Sequence, residues 1–401
     1  MESYEKILRE WTWMRQSPDS IFTLILPILI FDSSFHMDPH EFFSRLPAIL
    51  TLAVVGFLLS AVVLAVCMWL MLLMASQPGW TFAFAMLYGG MISATDPVAV
   101  VALLEELNAP QYLKVLIDGE ALLNDGAAII LFHGLESMLF QGESWFVFPK
   151  LLIFTLLSVF IGWASARMLV RLMMHYWHDT KQEVSASIAC VYLTYIACDN
   201  IGGSGVVGVV TLGVMMSQLS VHLQHELVHK LHSFWGFMAA WANTVVFVLS
   251  GIMIADSMPM KVGDYDVLGF SVATIIGAIM AYVFSVFSRA LVFLFLGYIF
   301  RYAQEKKGEE VWPASHVWMM CWGGLRGAVA LLLCVKLQHL FSHSNTYWPP
   351  TLSIQVVVFT IATVFASLLC QASTYERFAS RFQASFLSYT HPSPQLNKAS
   401  S

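Results

Sequence analysis

The sequence predicts an all-α, polytopic membrane protein in which two helices break in mid-span. Three observations carry that expectation. Of the 401 residues, 58% are hydrophobic and 11% charged, against about 25% charged in an average soluble domain, and the mean hydropathy is +0.70. The apolar residues gather into eleven segments, at 21–35, 47–74, 81–105, 113–140, 146–172, 184–199, 203–218, 232–256, 267–302, 314–338 and 350–372. Most of these reach the roughly 20 residues that a bilayer-crossing helix needs. Two of them contain polar interruptions, Ala94-Thr95-Asp96-Pro97 and Gly323-Gly324-Leu325-Arg326-Gly327, which a span tolerates only inside protein or beside a watery cavity.

The same composition excludes several classes. A net charge of -6 with no long basic run argues against nucleic acid as a partner. Six cysteines at irregular spacing in apolar segments read as small buried residues rather than a disulfide framework. Residues 1–20 are too polar for the apolar region of a cleavable signal peptide. A single membrane unit over 21–372 is expected, followed by a polar, Ser-, Gln- and Pro-rich tail over 373–401 that reads as disordered.

Taken in order, 21–35 carries Leu26-Pro27 and an acid, Asp32, near its end. Asp32 is expected to face water as a funnel residue, and Asp199 to do so at another helix end. In 81–105, Pro97 removes a backbone donor and disfavours helix at the residue before it. The segment 113–140 holds Asp118, Glu120, Asn124 and Asp125 among apolar neighbours. Ionisable groups in such a span are costly and mark an ion or proton path by default. Segments 184–199 and 203–218 are short, and one broken helix is the alternative to two. The stretch 221–232, with His222, His225, Glu226, His229 and His232, reads as an amphipathic interfacial linker. Segment 267–302 has Arg289 as its one internal charge. Aromatic residues such as Trp235, Trp241 and Trp312 are expected at membrane interfaces.

Orientation follows from lysine and arginine. With eleven crossings, alternate loops hold Arg45, Lys114, Arg171 with Lys181, Lys230, Arg301 with Lys306 and Lys307, and Arg377. That set, and the C-terminus with it, is expected to be cytoplasmic. Lys6, Arg9 and Arg15 break the pattern, which leads one to expect helices ahead of residue 1.

The chemistry centres on Asn124-Asp125. A carboxylate beside an amide offers hard oxygen ligands suited to Na⁺ or Li⁺, and a desolvated carboxylate also holds a proton more readily. A site that takes either one, but not both, is enough to exchange them. The first break, at Thr95-Asp96-Pro97, leaves half-helix ends with free carbonyl and N–H groups, and paired broken spans point to a midplane site. Arg326, at the second break, is placed to neutralise carbonyl ends at the helix crossing. Glu120 lies five positions before Asp125, on a different helical face. Its expected partner is Arg289, as a structural ion pair.

These stretches, ATDPVAVVALLEEL, LIDGEALLNDGAAIILF, SRALVFL and WGGLRGAVAL, resemble the signatures of the sodium/proton exchanger family. Leu26 to Asp32 is similar to that family's third helix. Asn243 to Gly251 leans towards its plant salt-overly-sensitive and sperm-type branch. The resemblance covers roughly residues 20–372. It implies a thirteen-helix, inverted-repeat antiporter fold lacking its first one or two helices, a homodimer, and an elevator-like exchange of Na⁺ (or Li⁺) for H⁺ across the plasma membrane, serving pH and Na⁺ regulation. It implies Asp125 as the carrier with Asn124, Thr95 and Asp96 beside it, the Glu120–Arg289 pair, and Arg326 at the crossover. Ala121 stands where the family commonly has Ser, so one oxygen ligand is lost and K⁺/H⁺ exchange or a non-transporting homologue stays open. No cofactor and no enzymatic activity are expected.

One competing motif remains. His225-Glu226-Leu227-Val228-His229 fits the H-E-x-x-H zinc hydrolase pattern, which sets two imidazoles on one helical face. His133, two turns beyond Asp125, reads as a packed residue rather than a proton relay.

Overall fold

The protein is described from a computed structural model over residues 18–75, 79–107, 109–175, 180–257, 272–307, 313–343, 348–375, 377 and 379. The expectations for residues 1–17, for Trp312 and for most of the tail lie outside these residues.

The fold is all-helical among the described residues. In chain order the helices are α1 (Pro18–His36), α2 (Pro39–Leu50), α3 (Phe57–Met74), α4 (Phe82–Ser93), α5 (Val98–Glu106), α6 (Gln111–Phe140) and α7 (Val147–His175). They continue with α8 (Thr180–Asn200), α9 (Gly205–Leu219), α10 (His225–Ser257), α11 (Val272–Lys307), α12 (Ala314–Trp322), α13 (Ala328–His343) and α14 (Pro350–Ala366). Seven stretches are long and apolar enough to cross a membrane, and α1 and α13 add shorter apolar helices. α6 and α8 are also long, but carry more polar residues. The chain is a multi-pass integral membrane protein.

Local chemistry sets the ends. Asp38 caps α2, accepting from the backbone N–H groups of His40 at 2.9 Å and Glu41 at 3.4 Å, with Pro39 in the first turn where its missing donor costs nothing. α2 runs through a wide turn, Thr51–Gly56, directly into α3. Thr81 caps α4 through Phe84 N–H at 3.2 Å, and Ser204 caps α9 through Val207 N–H at 3.4 Å.

The two short segments are two helices: α8 and α9 pack on each other across a turn at 201–204. Of the histidine-rich stretch, 221–224 links α9 to α10, and the rest is the amphipathic first turns of a helix rather than a loop. α10 begins at His225 and runs unbroken into the membrane segment, with Lys230 bonded to Glu226 at 2.6 Å on an exposed face and His232 stacked on Phe35 at 4.2 Å. Trp235 is interior rather than interfacial, since its indole N–H donates to Ser187 Oγ at 3.2 Å and its ring meets Phe31 at 4.5 Å. Trp241 is exposed. Three of the cysteines are buried, whereas Cys370 is exposed. Beyond 372 the helix continues, and Tyr375 and Ala379 are buried.

The helices fall into two packed groups. α1, α7, α8, α9 and α10 form one; α3, α4, α11 and α14 form the other. α6 and α13 lie between them, touching both. The outer faces are apolar, as on α7, where Leu152, Ile153, Leu156 and Phe160 are all exposed. Lipid satisfies such a face; the polar residues turn inward instead.

Candidate functional site

Both expected breaks are present, and they cross. α4 stops at Ser93 and α5 starts at Val98; α12 stops at Trp322 and α13 starts at Ala328. Pro97 supplies no N–H, and Asp96 Oδ1 accepts from Val98 N–H at 3.1 Å, beginning α5. One backbone bond joins the two interruptions, from Asp96 N–H to the Leu325 carbonyl at 2.9 Å. The close approach depends on glycine. A Cβ on Gly327 would sit 2.3 Å from Asp96 Cβ and Oδ2, and one on Gly324 would sit 2.2 Å from Arg289 Cδ.

Breaking a helix in a membrane strands carbonyls at its C-terminal end. Arg326, 2% exposed, meets them: Nη1 donates to the carbonyls of Ser93 at 2.8 Å and Ala94 at 3.3 Å, and Nη2 to that of Ser285 at 3.3 Å. The guanidinium thus ties α4, the second break and α11 together. Its charge also opposes the negative end of the α4 dipole.

Arg289 and Glu120 form the expected pair. Nη2 reaches Oε2 at 2.9 Å and Nη1 reaches Oε1 at 3.3 Å, with both side chains buried. Arg289 Nε adds the Met320 carbonyl at 3.2 Å, and its guanidinium lies 4.2 Å from the Phe293 ring centroid. Glu120 is less separate from the central pair than its helical face implied. Asn124 Nδ2 also donates to its Oε1 at 3.3 Å.

Asn124 uses the same amide on the Ser93 carbonyl and on Thr95 Oγ1, each at 3.3 Å. It is directed at the end of α4. Asp125 is directed elsewhere: it lines a cavity of about 280 Å³, together with Thr95, Asp96, Asp32 and Ser33. Asp125 Oδ1 is buried with no hydrogen-bond partner among the described residues. A water in the liquid takes about 30 Å³, so the cavity has room for a small cation with several waters. Its two intramembrane carboxylates, Asp125 and Asp96, have no arginine or lysine among the lining residues.

Asp32, the expected funnel residue, also lines this cavity. Beside it lies an arrangement that sequence reasoning missed. Ser33 Oγ donates to Asp118 Oδ1 at 3.1 Å, and His36 Nδ1 approaches Asp32 Oδ1 at 3.1 Å, with the His36 and His232 rings 4.3 Å apart. The available signal was spacing, because Asp118 precedes Asp125 by two turns and shares its face. His225, Glu226 and His229 form no centre here, and among the described residues no three His, Cys, Asp or Glu side chains gather to hold a metal ion.

Comparison with known proteins agrees with this geometry. The family model for the sodium/hydrogen exchanger transmembrane region matches residues 6–380. The chain is 32% identical to Sodium/hydrogen exchanger 7 of Arabidopsis thaliana, over 90% of this chain and 31% of that one. It is 30% identical to Sodium/hydrogen exchanger 8 of the same plant, over 90% and 46%, and 28% identical to the Na(+)/H(+) antiporter ApNhaP of Aphanothece halophytica, over 80% and 58%. The chain thus spans between 31% and 58% of the length of these relatives. The solved structure of the sodium proton antiporter MjNhaP1 from Methanocaldococcus jannaschii superposes with a TM-score of 0.71 at 17% identity, covering 92% of this chain and 89% of the other. That likeness places the helices in an antiporter fold.

Proposed function

This chain belongs to the sodium/hydrogen exchanger family, and from that premise we propose that it is a secondary-active antiporter exchanging Na⁺ or Li⁺ for H⁺. The observation that carries the reading is Asp125, which lines a cavity that also reaches Thr95, Asp96 and Asp32 and whose Oδ1 is buried with no hydrogen-bond partner among the described residues. A carboxylate so placed binds a dehydrated cation or a proton, and each displaces the other. Thr95 and Asp96 add oxygens at the same cavity. Asn124 acts as a positioning residue through Nδ2, which donates to Ser93, Thr95 and Glu120, while its Oδ1, like that of Asp125, is buried with no hydrogen-bond partner among the described residues. Glu120 with Arg289 holds the fold around the site, and Arg326 stabilises the crossing.

Of the two carboxylates at the cavity, Asp96 caps α5 through Val98 N–H, and Asp125 alone exchanging its proton beside a neutral Asn124 supports one-for-one, electroneutral exchange. The rest of the reading rests on the family and on the distribution of charge: a homodimer in the plasma membrane, with the Lys- and Arg-bearing loops and the C-terminus cytoplasmic. K⁺/H⁺ exchange is the runner-up, since Ala121 offers no side-chain oxygen one turn before Asp125.

The test is proton movement in proteoliposomes carrying an internal pH dye. Na⁺ or Li⁺ added outside should alkalinise the lumen without a membrane current, and Asp125→Asn should abolish the response. A response that survives in Asp125→Asn, or a current that scales with flux, would overturn the assignment or the stoichiometry, respectively.

A further inference from the structure

A second cavity of about 290 Å³ lies along the same three helices as the first, displaced in one consistent direction. On α6 the lining moves from Leu122 and Asp125 to Ile130 and His133; on α13 from Ala328 to Lys336; on α1 from Asp32 back to Thr23. At 1.5 Å per residue these displacements are about 12–14 Å. The start of α9 faces this second cavity through Ser204, whereas the end of α9 bonds to the end of α1, Ser217 Oγ to the Met37 carbonyl at 3.0 Å. The two cavities therefore lie toward opposite ends of α1, α6 and α13, and the second comes within one helical turn of Asp125 at Ile129.

The second cavity is charged. Lys336 and Asp199 line it, and Glu136, 8% exposed, sits behind Lys336 and His133. Glu136 Oε2 lies 3.2 Å from His133 Nδ1 and 3.8 Å from Lys336 Nζ. An ammonium kept this deep in a span is costly, and Glu136 offsets that cost. Two carboxylates against one ammonium leave the chamber attractive to cations, and Lys336 tempers the attraction.

We infer that this cavity is the cation vestibule of the face opposite Asp32, and that the Glu136–Lys336 pair sets how readily monovalent cations enter from that side. The transport part of the inference rests on the antiporter reading above; the electrostatic part does not.

The experiment uses the full chain in cells and membrane vesicles, with a reporter cysteine at Leu151, which lines the second cavity, or at Asn243, which lines the first. Impermeant methanethiosulfonates, one cationic and one anionic, are applied from either side and read against the parent chain's own cysteines. Leu151→Cys and Asn243→Cys should react from opposite sides. Adding Lys336→Met should raise the ratio of cationic to anionic reaction rates at Leu151→Cys about three- to tenfold, as expected for loss of one charge within a Debye length. Glu136→Gln should lower it by a similar factor, and Lys336→Arg should leave it unchanged. Reaction from the same side, or a ratio that ignores both charge changes, overturns the inference. In flux assays Lys336→Met should lower KM for Na⁺ several-fold on the Leu151 face only, and an equal change on both faces overturns the entry role. If the ratios shift as expected while the parent chain moves no cation, the antiporter reading fails and the charged vestibule stands.

Discussion

Arg326 donates to the carbonyl of Ser93, the last residue of α4, at 2.8 Å. One side chain from the second break thereby closes the C-terminal end of the helix that leads into the first. Charge-assisted hydrogen bonds of this kind contribute about 1.5–3 kcal/mol each, and a buried group left without its partner costs about 1–3 kcal/mol. Arg326→Gln should therefore lower the thermal midpoint of the detergent-purified protein markedly and abolish flux. Arg326→Lys should rescue stability in part, because a single ammonium cannot reach α4 and Ser285 of α11 together. Equal stability of Gln, Lys and parent would contradict the capping role.

Glu120 and Arg289 make a two-bond clasp between α6 and α11. Removing one partner of a buried pair typically costs about 3–5 kcal/mol, whereas replacing both by apolar residues is often near neutral. Glu120→Ala and Arg289→Ala should each reduce folded yield in size-exclusion profiles. Glu120→Leu combined with Arg289→Met should recover more than either single change. Normal yield and stability in both single variants would rule out the structural role.

Gly324 and Gly327 let the two breaks touch. A Cβ at either position meets Arg289 or Asp96 well inside van der Waals contact. Overpacking of this sort costs about 1–3 kcal/mol. Gly327→Ala should impair flux more than stability, because it displaces Asp96 at the cavity. Gly324→Ala should do the reverse, because it displaces Arg289 from Glu120. Thermal midpoints and flux rates measured on the same preparations would show whether the two effects separate in this way.

Much of this architecture was legible in the sequence, and for physical reasons. Proline, glycine clusters and lone charges have few tolerated roles inside a bilayer, so the two breaks, Asp125, and the Glu120–Arg289 and Arg326 contacts could be placed from residue type alone. What helical periodicity gives is a face, never the partner across from it. Asn124 therefore read as a neighbour of Asp125, while its amide is turned to Ser93, Thr95 and Glu120. The Ser33–Asp118 bond and the Glu136–Lys336 pair join distant segments, and neither partner alone predicts the other. The histidine-rich start of α10 was misplaced because its charged face looked like a loop, although Phe35 and His36 give His232 a packed setting.

The division of labour between Asn124 and Asp125 gives the sharpest prediction. Asp125 lines the cavity and has a buried oxygen without a hydrogen-bond partner, so Asp125→Asn removes the charge while keeping the shape. It should leave the thermal midpoint within a few degrees of the parent and bring cation-driven flux to the level of empty liposomes. Asp125→Glu keeps the charge but lengthens the arm, and a small residual flux is expected. Asn124 instead holds the α4 end to α6. Asn124→Ala should lower stability by about 0.5–1.5 kcal/mol for each bond lost, because Ser93 and Glu120 keep Arg326 and Arg289 as donors, with flux reduced but still cation-dependent. Should Asn124→Ala prove as stable as the parent and as silent as Asp125→Asn, Asn124 would be a direct ligand of the transported ion, and the positioning role would have to be abandoned.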